Sequence, residues 1–306
     1  YRMGAPEEIL YDAKPHIGTD HLRNVVKNLR NEIIRLGGEV RFETKLASLI
    51  AENGRVTGAV IENGGKTETI QVCDVILAVG HSARDTFEML NRMGVPMSQK
   101  AFSIGARIEH KQKMINRSQY GAACAHPALG AADYKLSVHL PNGRSAYTFC
   151  MCPGGQVVAA ASEEGGVVVN GMSEFARDGE IATSARLIGV GPGDFGADDP
   201  LAGVRFQRKW EEAAFRAGGS DYSAPAQRVG DFLNGKPTKR LGAVKPSYPV
   251  GVELGEAAAC LPDFAQTMLR DSLPYFGRKI RGYDAADALL TGPETRTSSP
   301  VRMKLG

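Results

Sequence analysis

Two polar segments of this sequence carry residue types that could bind a ligand. In Gly80-His81-Ser82, a glycine at the end of an apolar run would let the backbone approach a ligand, and the two side chains could hydrogen-bond phosphate or ribose. The other interpretation is a tight turn with a serine that caps a helix. The polar run 294–299 is by itself typical of a solvated loop.

A third segment, Gly191-Pro-Gly-Asp-Phe-Gly196, spells Gly-x-Gly-x-x-Gly, the pattern of dinucleotide-binding turns. Its surroundings do not suit a phosphate. Asp194 would set a carboxylate beside it, and Pro200 falls where the phosphate-binding helix should be in mid-course. We therefore predict a solvated acidic turn here.

The composition is that of a globular chain long enough for two ordinary domains. Its 306 residues are 42% hydrophobic and 23% charged, with a formal net charge of +3. Basic residues occur in short pairs, unlike a nucleic-acid-binding surface, and no apolar run approaches the roughly 20 residues of a membrane span. Five cysteines at irregular spacing argue against a disulfide framework. We expect a cytoplasmic protein with a small-molecule substrate and neither nucleic acid nor membrane as partner.

The first hundred residues predict the elements that position Gly80-His81-Ser82. Apolar residues at helical spacing predict a helix over 19–36, with Thr19 as N-cap and Gly37-Gly38 as the stop. Further predicted elements are a strand over 40–43, three hairpin strands over 46–51, 56–62 and 67–72 joined by Asn-Gly turns, a buried apolar strand over 75–79, and a helix over 83–92.

From residue 101 onward the pattern changes to strands with scattered helices, which indicates an α+β domain. The predicted strands are 101–109, 135–140, 145–152, 156–162 and 184–190, and the predicted helices are 111–118, 201–217 and 262–276.

The order helix, strand, three-stranded meander and buried strand resembles the FAD-binding domain of two-dinucleotide-binding flavoproteins. Several motifs are similar to a family of bacterial FAD-dependent dehydrogenases, and the resemblance covers almost the whole chain. These motifs are Ala5-Pro-Glu-Glu-Ile-Leu-Tyr11, Lys14-Pro-His-Ile-Gly-Thr-Asp20, Ala78-Val-Gly-His-Ser-Ala-Arg-Asp85, Phe149-Cys-Met-Cys-Pro-Gly-Gly155, Ala159-Ala-Ala-Ser-Glu-Glu164 and Glu294-Thr-Arg-Thr-Ser-Ser-Pro-Val-Arg302.

The resemblance implies a fold of class α/β plus α+β. It would comprise an incomplete Rossmann-like FAD/NAD(P)-binding domain carrying the meander, and an inserted strand-rich second domain. The implied division is 1–99 for the first part of the FAD-binding domain, 100–285 for the inserted substrate-type domain and 286–306 for the return to the FAD-binding domain. The implied cofactor is FAD, with NAD(P)H as a candidate electron donor.

The resemblance also implies cofactor-binding residues. In related flavoproteins the residue that starts the meander, here Leu46, meets the adenine through its backbone. Arg296 near the pyrimidine end of the flavin would stabilise the negative charge that builds up on reduction. The full predicted set is Leu46, Ala78, Gly80, His81, Ser82, Arg296, Thr297 and Ser298, with no metal ligand and no catalytic residue assigned.

The segment Cys150-Met-Cys152 has three interpretations. Alternate residues of a strand lie about 6.5 to 7 Å apart on one face, which is too far for a shared zinc ion unless the chain turns at Pro153. Cys124 and His126 could complete a four-ligand set, but the sequence has no Cys-x-x-Cys spacing, so we predict no metal. A thiol acting beside the flavin and a pair of buried structural cysteines both remain open.

Two features of that family are absent from these residues: an upstream Gly-x-Gly-x-x-Gly turn and a downstream glycine-rich segment, both of which hold the FAD pyrophosphate. We therefore expect a fragment that binds FAD weakly or not at all, with strands 40–43 and 75–79 left without their parallel neighbours. The predicted function of the complete protein is an FAD-dependent oxidoreductase of unknown substrate. The alternative is a non-enzymatic ligand-binding or RNA-modification-associated module.

Overall fold

The computed structural model describes residues 1–303. Within them, no helix combines the length and the apolar character that crossing a bilayer requires. The α-helices are Thr19–Arg35 (α1), Arg84–Arg92 (α2), Gln112–Tyr120 (α3), Ala202–Ala217 (α4), Val229–Leu233 (α5) and Asp263–Lys279 (α6). The strands are Thr44–Glu52 (β1), Arg55–Asn63 (β2), Lys66–Gln71 (β3), Met97–Gln99 (β4), Phe102–Lys111 (β5), Ser137–His139 (β6), Ser145–Cys152 (β7), Gln156–Ala159 (β8), Val169–Met172 (β9), Ile181–Val190 (β10), Ala224–Arg228 (β11), Val252–Leu254 (β12), Leu289–Glu294 (β13) and Val301–Met303 (β14).

Helix α1 confirms the predicted helix, although not its predicted cap. The helix begins at Thr19, and Gly18, with φ of 82°, occupies the cap position. The Thr19 hydroxyl instead donates to the carbonyl of Ser173 at 3.2 Å. Two independent constraints favour glycine at position 18. Its φ is left-handed, and a Cβ there would lie 2.3 Å from the backbone nitrogen of Phe175.

The apolar stripe of α1 faces solvent. Leu22, Val26, Leu29 and Ile33 are 43 to 56% exposed, whereas Val25 is buried. An amphipathic helix normally buries such a stripe against a core. The stripe is therefore an uncovered apolar surface in the described structure.

The predicted meander is confirmed. Strands β1, β2 and β3 form an antiparallel sheet in that order. The first turn uses Asn53 and Gly54, both with positive φ (51° and 76°), as a type I′ hairpin requires. The Asn-Gly turns in the sequence therefore correctly predicted that this sheet forms and where its first turn lies.

The two predicted parallel strands are wrong. Residues 40–43 and 75–79 adopt no strand structure, and Ile76 is 93% exposed. Strand structure requires neighbouring strands that pair with its N–H and C=O groups, and within residues 1–303 no strand pairs with either segment. Glu43 also takes a positive φ of 52°, which breaks the extended path before β1. The segment 75–82 is consequently an open stretch that leads into α2.

A seven-stranded mixed sheet forms the centre of the second half, in the order β12-β11-β13-β5-β10-β7-β6. Its pairs are antiparallel except β11 with β12. Strands β5 and β10 pair over their full length, and helix α6 packs on them through Leu273 and Phe276, which join Ile104, Ile108 and Ile188 in the main core. The mixed α/β fold is confirmed, while the incomplete Rossmann-like domain stays a prediction.

The predicted division into 1–99, 100–285 and 286–306 also stays a prediction. Strand β13, which that division gave to the third part, pairs with β5 and β11 inside the seven-stranded sheet. The last described strand, β14, pairs instead with β4. The chain after residue 286 therefore contributes to two different sheets.

Helix α2 fixes the first hundred residues to the second half. Phe87 and Leu90 of α2 pack with Val204 of α4 and Val301 of β14, and Leu46 of the meander packs against this core. The chain that precedes α2, including Gly80-His81-Ser82, is thereby held at the junction of the two halves.

Candidate functional site

A buried ion-pair junction begins two residues after Ser82. Arg84, at the start of α2, donates to the two carboxylate oxygens of Glu211 on α4 at 2.7 and 2.9 Å. Arg296, in the segment after β13, donates to the same two oxygens at 3.1 and 2.6 Å. Arg84 and Glu211 are each 1% exposed, so two guanidinium groups share one carboxylate away from water.

A second carboxylate balances the charge of this junction. Glu163 contacts Arg84 and also accepts from Arg208 at 2.7 Å. Thr295 donates its hydroxyl proton to Glu211 at 2.7 Å. Burial raises the pKa of Glu211, but the bonds from Arg296 and Arg84 outweigh it and lower the pKa below its ordinary value. Glu211 is therefore ionised at neutral pH and holds α2, α4 and the segment after β13 together.

The junction places two of the predicted cofactor residues near each other. Arg296 uses its guanidinium on Glu211 and on the Ser162 hydroxyl, so its hydrogen-bonding capacity is directed into the protein. Its charge nevertheless reaches His81: partial burial lowers the pKa of His81, and the charges of Arg296 and Lys100 lower it further. His81 is accordingly neutral at pH 7.

The rest of segment 78–82 is an open edge. Ala78, Gly80 and His81 are exposed, and a Cβ on Gly80 would have no atom within 4 Å. Gly80 has φ of 77°. The residue at the cap position of α2 is Ala83, and no side chain caps the helix, so the capping role considered for Ser82 is not observed.

The other three predicted cofactor residues lie elsewhere. Leu46 packs in the core beside α2. Thr297 accepts from the backbone N–H of Ser103 at 3.2 Å and donates to the Ser103 carbonyl at 3.0 Å, which ties the segment to β5. Thr297 and Ser298 line an open groove of about 710 Å³ that also includes Phe149. All eight cofactor-binding assignments therefore stay predictions.

The segment 191–196 forms a short turn around the 3₁₀ helix Pro192–Asp194. The Asp194 carboxylate accepts from the backbone N–H of Gly191 at 2.9 Å and from Arg144 at 2.6 Å. The backbone donor that a phosphate would need is thus occupied by a carboxylate of the same turn.

A second cluster surrounds the two cysteines at the end of β7. Opposite β10, Thr183 pairs with Cys152 and Ala185 pairs with Phe149, so an extra residue of β7 is accommodated as a bulge. Cys150 lies in this bulge with φ of 44°, and its side chain is exposed whereas Cys152 is buried. The bulge therefore separates the two thiols into an accessible one and a buried one.

Arg107 organises this cluster from β5. It is fully buried, and its Nη2 donates to the Cys150 carbonyl at 3.0 Å and approaches the Cys152 Sγ at 3.5 Å. Its Nη1 donates to Glu294 of β13 at 3.2 Å. Gly171 makes room for the guanidinium, because a Cβ there would lie 1.9 Å from Nη2.

The cluster changes the acidity of both thiols. The neighbouring Cys152 thiol and the charge of Arg107 lower the pKa of Cys150 to about 6, against the effect of burial. The same pairing and burial raise the pKa of Cys152. Cys150 is therefore the thiolate of the pair at neutral pH. Within residues 1–303 no group of three or more His, Cys, Asp or Glu side chains could hold a metal ion.

Glu294 gives this cluster a testable pH dependence. Burial raises its pKa to about 7 from an ordinary value of 4.5, against the lowering effect of Arg107. The stabilising contribution of a group with a raised pKa is complete below pH 4.5 and is lost as the pH rises through about 7. As the pH rises from 4.5 through about 7, the free energy of unfolding should fall less for Glu294→Gln than for the unmodified chain. The difference should reach up to about 3 kcal/mol.

Urea unfolding at a series of pH values measures this difference. Glu253→Gln, which removes an exposed carboxylate from β12, is the matched control and should follow the unmodified chain. Parallel pH profiles for Glu294→Gln and the unmodified chain would contradict the raised pKa.

Sequence reasoning missed the charged residues that organise both clusters. Arg107 stands between apolar Ala106 and Ile108 in β5, and a charge between apolar neighbours in a predicted strand was the available signal. Glu211 lies on the buried face of α4, among residues that also read as an ordinary amphipathic helix. Its partners Arg84 and Arg296 come from distant parts of the sequence, which no local pattern connects.

Comparison with known proteins shows the family of this chain. Residues 101–297 match the family described as FAD-dependent protein, C-terminal domain-like, and the chain belongs to that family. The expectation of an FAD-dependent family is thereby confirmed, while dehydrogenase activity and membership of the two-dinucleotide-binding flavoproteins stay predictions.

Two individual proteins are similar to this chain. An uncharacterized protein of Clostridium beijerinckii is 51% identical over 303 residues, which are 99% of this chain and 56% of that protein. The chain thus spans about half the length of this relative. The structure of a triple mutant of the flavin-dependent brominase Bmp2 is 12% identical, covers 56% of this chain and 34% of that chain, and has a TM-score of 0.31. A likeness of that extent defines neither fold nor function.

Proposed function

We propose that this chain is the central part of a longer FAD-dependent oxidoreductase, in which segment 78–82 forms one edge of the cofactor site. One observation carries the proposal beyond the family match. An exposed, unpaired backbone segment with a left-handed glycine is anchored through Arg84 next to the positive charge of Arg296. Such an arrangement offers backbone donors and a favourable potential to an anionic nucleotide.

The residues at this edge fit a dinucleotide. Gly80 leaves open space for close approach, while neutral His81 and Ser82 offer hydrogen-bonding groups. Arg296 fits as a fixed charge rather than as a direct ligand, because its guanidinium is committed to Glu211. This assignment refines the predicted role of Arg296, in which the guanidinium faces the flavin.

The uncovered surfaces support a longer protein. The apolar stripe of α1 and the exposed Ile76 suit coverage by further elements of such a protein. The greater length of the Clostridium relative is consistent with such additional elements. In that arrangement the family's phosphate-binding turn would complete the site.

In the proposed reaction the cofactor and the residues of this chain would have different roles. Bound FAD would supply transfer of a hydride or an electron pair, for which NADH and NADPH are candidate donors. The residues of this chain would hold and orient it: Glu211 fixes Arg84 and Arg296, and these fix the start of α2. The substrate would be a small molecule.

A valine at Gly80 tests this cofactor edge. In the longer protein we expect Gly80→Val to weaken FAD binding at least about tenfold, because the added side chain would enter space that only a ligand approaches. Fluorescence titration with FAD measures the dissociation constant.

Gly94→Val is the matched control. Gly94 also has a left-handed φ, 78°, and no neighbour within 4 Å of a Cβ, but it ends α2 instead of preceding it. Backbone strain should be similar in both variants, so only Gly80→Val should weaken FAD binding. Equal effects of the two substitutions on FAD affinity would remove the support for this edge.

The reaction type needs a separate experiment. The purified longer protein, kept free of oxygen, should lose its flavin absorbance near ~450 nm on addition of NADH or NADPH and regain it with an electron acceptor. A bound flavin that accepts electrons from neither nicotinamide and from no dithiol would contradict oxidoreductase function, even if FAD is present.

A further inference from the structure

We infer that Cys150 and Cys152 form a two-thiol centre that exchanges with a small anionic disulfide bound in the cavity beside them. This inference does not depend on the proposed flavin chemistry, since its reacting thiols, Cys150 and Cys152, belong neither to segment 78–82 nor to the junction around Glu211. Its ligand class is any low-molecular-weight disulfide that carries carboxylate groups.

The cavity beside the thiols has the size of a small-molecule site. It encloses about 420 Å³, and both cysteines line it together with Gly18 and Arg177. Gly154 lets two stretches of chain meet at its wall, because a Cβ there would lie 2.0 Å from the carbonyl oxygen of Arg177. This close approach of two backbone stretches shapes the cavity.

The geometry of β7 makes Cys150 the accessible thiol. The bulge and the left-handed φ of Cys150 turn its side chain out of the strand, whereas Cys152 stays buried with its Sγ donating to the Cys150 carbonyl at 3.3 Å. Bulges commonly re-aim one side chain near functional sites. The buried guanidinium of Arg107 contacts the Cys150 carbonyl and the Cys152 Sγ. Its positive charge favours the thiolate form of Cys150.

Arg177 supplies the recognition of an anion. Its Nε is buried without a hydrogen-bond partner, and it forms no ion pair within residues 1–303. A cationic group in this condition gains by pairing with a carboxylate of a ligand. An anionic disulfide would place that carboxylate near Arg177 and its sulfurs near Cys150.

The exchange proceeds in two balanced steps. The Cys150 thiolate attacks one sulfur of the ligand, the S–S bond of the ligand breaks, and its other half leaves as a thiolate. Cys152 then gives up its proton, and its sulfur attacks the Cys150 sulfur and expels the second half of the ligand. The two cysteines are oxidised to one disulfide, and the ligand disulfide is reduced to two thiols, one of which takes up the proton of Cys152.

The charged groups around Cys150 favour its reaction in mildly acidic solution. Arg107 faces it from β5, Glu294 from β13, Cys152 from its own strand, and His16 and Arg177 from the loops that line the cavity. At pH 6 about half of a thiol with pKa of about 6 is thiolate, compared with roughly 0.3% of an ordinary thiol. Because a more acidic thiol forms a less nucleophilic thiolate, the thiolate of Cys150 reacts about tenfold more slowly than that of an ordinary thiol. At pH 6 Cys150 therefore keeps a net rate advantage of roughly tenfold over an ordinary thiol.

Mass spectrometry of the intact chain after exposure to oxidised glutathione at pH 6 tests the inference. In a background with Cys73→Ser and Cys124→Ser, the remaining cysteine outside the pair is buried Cys260. We expect this protein to lose two hydrogens while releasing two molecules of glutathione. Adding Cys152→Ser should instead trap one glutathione on Cys150.

Two comparisons decide the outcome. With Cys73 restored and Cys150→Ser introduced, the exposed Cys73 serves as the reference cysteine, and it should react about tenfold more slowly than Cys150. Arg177→Gln should slow the reaction with oxidised glutathione severalfold but leave the reaction with the cationic disulfide cystamine unchanged. Equal rates for Cys73 and Cys150 would overturn the thiol centre. Equal effects of Arg177→Gln on both disulfides would overturn the anionic ligand.

Discussion

Replacing Glu211 by glutamine is expected to lower the free energy of unfolding by about 3 to 5 kcal/mol, the largest electrostatic effect that we predict for this chain. Glutamine keeps the size of the side chain but removes the charge that two buried guanidinium groups share. Arg84 would retain Glu163 as a partner, whereas Arg296 would keep only neutral oxygens. Urea unfolding followed by circular dichroism measures the loss.

The neighbouring residue provides the control. Glu212 is exposed, so Glu212→Gln removes the same charge one position away and should change stability by less than about 0.5 kcal/mol. Similar losses in the two variants would mean that net charge, and not the junction, accounts for the effect. In the longer protein Glu211→Gln should also weaken FAD binding, because Arg84 holds the segment that precedes α2.

The second large effect is expected at Gly105 in the centre of β5. A Cβ there would lie 1.7 Å from the carbonyl oxygen of Arg186 in β10, so the two central strands must move apart. We expect Gly105→Ala to cost at least about 4 kcal/mol and to reduce the yield of soluble protein. Because Arg107 lies two residues further along β5, the guanidinium beside Cys150 would also move.

Gly189→Ala tests the same sheet without the collision. Gly189 lies in β10, and a Cβ there would have no neighbour within 4 Å, so its melting temperature should stay close to that of the unmodified chain. A Gly105→Ala variant as stable as Gly189→Ala would show that the backbone approach of β5 and β10 is looser than described.

Local signals in the sequence were sufficient for elements that local interactions define. Asn53-Gly54 specified the turn of the first hairpin, and helical spacing with Gly37 specified α1 and its end. The apolar run 75–79 carries an equally clear strand signal, but a parallel strand depends on neighbours that come from elsewhere in the chain. Its failure to form here follows from that dependence rather than from weak propensity.

The candidate site was predictable in part. Gly80 and His81 were selected as candidates because a glycine after an apolar run is a local signal, and in the structure the charge of Arg296 acts on His81. The commitment of Arg296 to Glu211 was not predictable, since it depends on how α4 packs against α2. The acidity of Cys150 likewise depends on a bulge and on Arg107 from another strand, neither of which appears in a Cys-x-Cys spacing.

The most direct test of the central claim is a titration of FAD into the longer protein and into this 306-residue chain, side by side. We predict a yellow longer protein with flavin absorbance near ~450 nm, and a chain that takes up little or no FAD because it holds only one edge of the site. A colourless longer protein that takes up no added FAD would contradict the account.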